Sequence, residues 1–136
     1  MRTIILISCV SKKQLHKAIA RELYTSPLFR YALRYAESLH PDKIYILSAK
    51  YGLVSLDTLI APYDVTLNTM TAPVIRQWSK DVLSALAQVA DLEHDRFIFL
   101  AGEKYRKYLI PEIRNYEIPL EGLGIGKQLH YYKEHI

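Results

Sequence analysis

The sequence predicts an α/β protein, a three-layer α/β/α sandwich whose mostly parallel sheet has about four strands. Two observations lead there. Three apolar runs of strand length, residues 3–10 (TIILISCV), 43–49 (KIYILSA) and 96–102 (RFIFLAG), lack strict apolar/polar alternation, as strands covered on both faces do. Stretches with apolar residues at helical spacing fall between and after them. Strand and helix therefore alternate, an order that favours right-handed crossovers and parallel pairing.

Each element has its own local reason. The first run ends at Ser8 and Cys9, short of even the lower limit of a membrane span, and no other segment approaches that length. Residues 26–39 open with a Ser-Pro pair suited to N-cap and N1 and place Leu28, Tyr31, Ala32, Tyr35 and Leu39 on one face. Residues 50–71 carry no clear periodicity; so long an irregular segment in a small domain is expected to serve function. Residues 72–90 follow Thr71 as N-cap and align Val74, Ile75, Trp78, Val82, Leu86 and Val89. After the third strand comes a helix over residues 104–113 that Pro111 should end or kink. A weak fourth strand at 116–120 and a terminal helix from about residue 124 complete the order.

The 136 residues are enough for one domain, taken as residues 1–136, and half of them are hydrophobic with about a quarter charged, as in ordinary globular proteins. A single cysteine forms no internal disulfide; together with the missing membrane span this points to the cytoplasm and to no membrane partner. The formal charge of +4 tilts toward an anionic partner, and the eleven tyrosines offer surfaces on which bases stack. Nothing in the sequence sets the oligomeric state, and a homo-oligomer is compatible with it.

In open parallel sheets ligands bind outside the carboxyl ends of the strands, and each of the four strand ends carries a lysine. Ser8, Cys9, Lys12 and Lys13 follow the first strand; Ser48, Lys50, Tyr51 and Gly52 the second; Gly102 and Lys104 the third; Gly122, Gly124, Gly126 and Lys127 the fourth. Their convergence would make a cationic crevice suited to phosphate. Cys9 beside two ammonium groups reads either as a nucleophile with a lowered pKa or as a small apolar residue closing a strand. Asp57 and Asp64, the latter following Pro62 and Tyr63, bring acid/base groups in the same long loop. The Gly122-x-Gly124-x-Gly126 spacing matches neither a Walker loop nor the dinucleotide fingerprint. The five histidines show no metal-ligand spacing, Asp64, Thr66 and Asn68 make no EF-hand, and there is no Gly-x-Ser-x-Gly elbow. No metal and no cofactor is expected.

The blocks SCVSKK, LYTSPLF, ILSAKYGLV, LIAPYDVTLN, LAGEKYRKYL and PLEGLGIGKQL resemble, in order and along nearly the whole chain, a family of small bacterial and phage proteins labelled a domain of unknown function (family 6884). More distantly, LSAKYGLVSLDTLIAPYDVTL is similar to segments of the DNA-binding peroxide-stress family of YaaA. The Cys9-x-x-Lys12 start looks like that of the archaeosine synthase core, which modifies a deazaguanine base in transfer RNA. Lys13-Gln14 stand where the archaeosine-type motif has proline and tyrosine, and the chain is much shorter than YaaA. The resemblance implies a nucleobase or nucleic-acid context and a pocket formed by Cys9, Lys12, Ser48, Lys50, Tyr51, Gly52, Asp57, Pro62 and Tyr63. The expected function is binding of a nucleotide or nucleic acid, with chemistry at a nucleobase or its glycosidic bond as the enzymatic form. A noncatalytic DNA-binding stress protein and a nucleotide sponge or sensor are the alternatives.

Overall fold

Ile4, Ile5, Leu6 and Ile7 are all fully buried; successive strand residues point to opposite faces, so both faces of this strand are covered. It is β1 (Thr3–Ser8) of a computed structural model that describes residues 1–8 and 13–136. The chain continues through β2 (Ala18–Ile19), α1 (Ala20–Leu23), α2 (Pro27–Ser38), β3 (Lys43–Ser48), β4 (Gly52–Ser55) and β5 (Leu59–Ile60). A 3-10 turn (Leu67–Thr69), α3 (Ala72–Val89), β6 (Arg96–Leu100) and α4 (Glu103–Arg106) follow. A second 3-10 turn (Ile110–Glu112), β7 (Asn115–Glu117) and α5 (Ile125–His135) end it.

Among the described residues the result is a mixed α/β architecture with five helices and a five-stranded sheet in the order β4-β3-β1-β6-β7. β1 pairs in parallel with β3 and with β6, and β6 with β7. Within this sheet, among the described residues, only β4 runs antiparallel, against β3. The expectation of about four mostly parallel strands is therefore right in direction and one strand short. The missing strand lies inside residues 50–71, the segment expected to be irregular: it contains β4, β5 and a 3-10 turn. β5 pairs with β2 in a separate two-stranded ribbon.

Ser26 caps α2 as its side-chain oxygen accepts from the Phe29 N–H at 3.2 Å, with Pro27 in the first turn. Phe29, Ala32, Tyr35 and Ala36 are buried, whereas Leu39 lies past the helix end and is exposed. α3 buries Ile75, Trp78, Val82 and Leu86, while Val74 and Val89 face solvent and Thr71 makes no side-chain cap. The helix after the third strand stops at Arg106, well before Pro111, which instead sits in the 3-10 turn.

Parallel pairing brings the carboxyl ends of β1, β3, β6 and β7 to one edge of the sheet. Ser8 and Gly102 meet there, the Gly102 N–H donating to Ser8 Oγ at 3.1 Å. At the other edge Asp95 ties the amino ends of β1 and β6: its carboxylate accepts from the Arg2 N–H at 2.9 Å and the Asp91 N–H at 2.8 Å. No helix among the described residues is long and apolar enough to cross a membrane.

Candidate functional site

β3 turns into β4 through Ala49, Lys50 and Tyr51, and Gly52 closes the turn at φ +74°, the left-handed conformation that glycine adopts without steric cost. Ser48 is fully buried at the start of this hairpin. Its Oγ accepts from the Tyr51 N–H at 3.0 Å and donates to the Tyr63 hydroxyl at 2.9 Å. Tyr63 in turn shares a 2.6 Å hydrogen bond with the Tyr24 hydroxyl. Aromatic edges continue the contact, Tyr51 to Tyr63 at 5.7 Å and Tyr24 to Phe29 at 5.0 Å between ring centroids. The Lys13 ammonium lies 4.4 Å from the Tyr63 ring centre and the Lys50 ammonium 5.4 Å from that of Tyr51.

Phe29 leads from this cluster into a cleft of about 490 Å³ at the carboxyl ends of β1 and β6. Phe29, Phe99, Leu120, Leu123 and Tyr132 give it apolar walls, and Ser8, Ser26, Asn68, Arg106 and Gln128 bring polar groups. Several of these are fixed by the backbone. The Gln128 amide donates to the Leu123 carbonyl at 2.7 Å, and one Arg106 Nη donates to the Ala101 carbonyl at 2.8 Å. The segment after β5 borders the cleft through Asn68, whose carbonyl accepts from Lys104 Nζ at 3.1 Å. The Tyr105 hydroxyl holds that segment, accepting from the Leu67 N–H at 3.4 Å. Burial, reinforced by Tyr35 and Tyr131, pushes the Tyr132 phenol far above its ordinary pKa, so it stays neutral. Glu103 brings a carboxylate to the rim, and that of Glu121 stands 3.9 Å from Arg106.

The candidate residues named from the sequence divide into groups. Ser8, Gly102 and Gly122 line the cleft. Ser48, Tyr51, Gly52 and Tyr63 form the hairpin cluster beside it, with exposed Lys50 on the turn and half-buried Pro62 next to Tyr63. Lys13 joins that cluster, and Lys104 joins the cleft border through Asn68. Gly124, Gly126 and Lys127 lie exposed at the start of α5, where Gly124 is the N-cap. Asp64 is exposed. Asp57 stands apart: antiparallel β4 carries the chain back to the amino end of β3, where Asp57 pairs with Arg21 at 3.1 Å in a groove with His40 and Lys43. Cys9 and Lys12 lie outside the described residues. No group of three His, Cys, Asp or Glu side chains suited to a metal occurs among the described residues.

Arg106, Gln128, Asn68, Ser26 and Tyr132 are cleft residues that the strand-end argument passes over. Arg106 stands two residues after Lys104; a planar fork of donors is better suited than an ammonium to a partly buried anion site, and that chemical difference was the available signal. The other four come from helices and a turn whose meeting is tertiary.

Comparison with curated proteins and with solved structures finds no match. The model of one family, described as a family of unknown function (DUF6884), matches residues 4–134, and the chain belongs to that family.

Proposed function

We propose that the chain binds a nucleotide, or a nucleotide unit of nucleic acid, in the cleft at the ends of β1 and β6. One observation carries this reading, the position of the cleft in the topology. β1 and β6 are neighbours whose connections leave in opposite directions, from β1 to β3 on one side and from β6 to β7 on the other; such a divergence opens a crevice at the carboxyl ends of the pair, where α/β sheets bind ligands. The volume of about 490 Å³ suits one small ligand. Apolar and aromatic walls fit a base, and the polar groups of Gln128, Asn68 and Ser26 stand where they can orient it. Lys13, Lys50 and Lys104 surround this edge with positive charge that attracts phosphate.

In the same reading the sheet is the middle of three layers, with α2 and α5 over one face and α3 over the other. Two right-handed crossovers that set out from β1 and β3 in opposite directions put their helices on opposite faces. The function proposed is binding; Asp57, at the far end of β3, has no part in it.

Titration calorimetry with ribonucleosides and their 5′-monophosphates, followed by amide shifts in labelled chain, tests the reading. Saturable binding with shifts at Gly102, Asn68, Gly122 and Gln128 is expected. Failure of every nucleoside and nucleotide to saturate, or shifts confined to the groove around Asp57, overturns it.

A further inference from the structure

We propose that Arg106 is the anion-recognising group of the cleft and takes the terminal phosphate of a mononucleotide in exchange for Glu121. The inference rests on the nucleotide reading and adds to it the residue and the ligand class. The Arg106 side chain is only 14 % exposed and lines the cleft. A guanidinium carries five N–H donors, yet among the described residues a single direct hydrogen bond engages it, to the Ala101 carbonyl. Its nearest carboxylate, Glu121 Oε2, is 3.9 Å away, beyond hydrogen-bonding distance. A charge withdrawn from water is costly unless it is paired and hydrogen-bonded, so this guanidinium is held ready for a better partner than the protein supplies.

Glu121 is placed to be that temporary partner. Its backbone is pinned by overlapping turns, the Glu121 N–H donating to the Ile118 carbonyl and the Leu123 N–H to the Leu120 carbonyl, both at 3.1 Å. Gly122 follows at φ +83°. The Glu121 side chain itself is 67 % exposed and swings into water at little cost. A phosphate carries more oxygen acceptors than the departing carboxylate can present, and the guanidinium fork engages two of them at once. Arg106 lies inside a cleft of about 490 Å³ rather than along an open groove. That geometry suits a phosphate at the end of one nucleotide, whereas an internal phosphodiester would need room for chain on both sides.

The test compares nucleosides with their 5′-monophosphates on the full chain and on two variants. The monophosphates are expected to bind wild type at least about tenfold more tightly. Arg106→Gln should erase that difference. Glu121→Gln, at an exposed side chain and therefore safe for folding, should tighten monophosphates several-fold and leave nucleosides unchanged; weaker monophosphate binding in Glu121→Gln overturns the exchange. If nucleosides and monophosphates bind wild type equally, the Arg106 assignment fails while the base-binding reading stands. Inorganic phosphate, followed through the Arg106 Nε–H signal, separates the converse case: a saturable shift without nucleoside binding keeps the anion site and removes the base. Absence of both responses removes both.

Discussion

Gly52 and Ser79 show how single positions divide between shape and satisfaction. A Cβ at Gly52 would meet Val82 Cγ2 at 3.7 Å, an ordinary contact, so space does not require glycine; the φ of +74° does. Gly52→Ala is expected to cost about 1 kcal/mol through left-handed strain, and Gly52→Asn distinctly less because asparagine tolerates that region. Urea denaturation of the two variants checks the order, and equal costs would mean that packing governs the position. Ser79 presents the opposite case. It is buried on α3, and its hydroxyl finds no partner among the described residues. Ser79→Ala removes that unmet group and improves helix propensity, so a gain of up to ~1 kcal/mol is expected in the same assay.

At the scale of elements, the uninterrupted apolar runs make β1, β3 and β6 legible in the sequence, and the Ser-Pro start with its helical spacing does the same for α2. β4 is not legible, since Gly52, Leu53, Val54 and Ser55 are four residues after a turn without an Asn-Gly or Asp-Gly signal. β2 and α1, of two and four residues, are too short for any period to register. Asp95 joins two of the legible strands. Backbone N–H groups of Asp91 and Arg2, with the Arg2 guanidinium nearby, hold its carboxyl below the usual 3.8. A lowered folded pKa gives stability that is present above the unfolded value and disappears as pH falls through the folded one. The gap in urea midpoint between wild type and Asp95→Asn should therefore be widest near neutral pH and shrink below about pH 4. At the α2–α5 contact the sign reverses. Burial, then the neighbouring Tyr131 and Glu117, push the Tyr35 phenol up from 10.0 to about 12. That stability is whole below the unfolded value and is lost as pH rises through the folded one. Thermal melts between pH 9 and pH 11 should fall less steeply for Tyr35→Phe than for wild type; parallel curves would show that the phenol does not ionise on unfolding in that range.

Across the whole molecule, parallel order decides which sequence-level site residues meet. Ser8, Gly102 and Gly122 reach one cleft because each closes or follows a strand of the same direction, a relation that apolar runs reveal. Arg106, Asn68, Gln128 and Phe29 reach it from α4, a 3-10 turn, α5 and α2, and no spacing in the sequence encodes that meeting. Asp57 leaves the strand-end group for the same reason that β4 is hidden, because an unseen reversal of the chain carries it to the far edge. The same topology sets where the fold opens first. β1 has a strand on each side and four consecutive fully buried residues, whereas β7 is an edge strand of three exposed residues. β4, the other edge, is partly covered by α3 and anchored through Ser48. Amide exchange followed by NMR should give the slowest amides at Ile5, Leu6 and Ile7, exchanging only with global unfolding, intermediate protection in β4, and the fastest strand amides in β7. If β7 were protected as strongly as β1, something other than this chain would be covering that edge, and denaturant dependence would decide: amides that open only globally share the slope of overall unfolding, whereas local openings are nearly insensitive to denaturant.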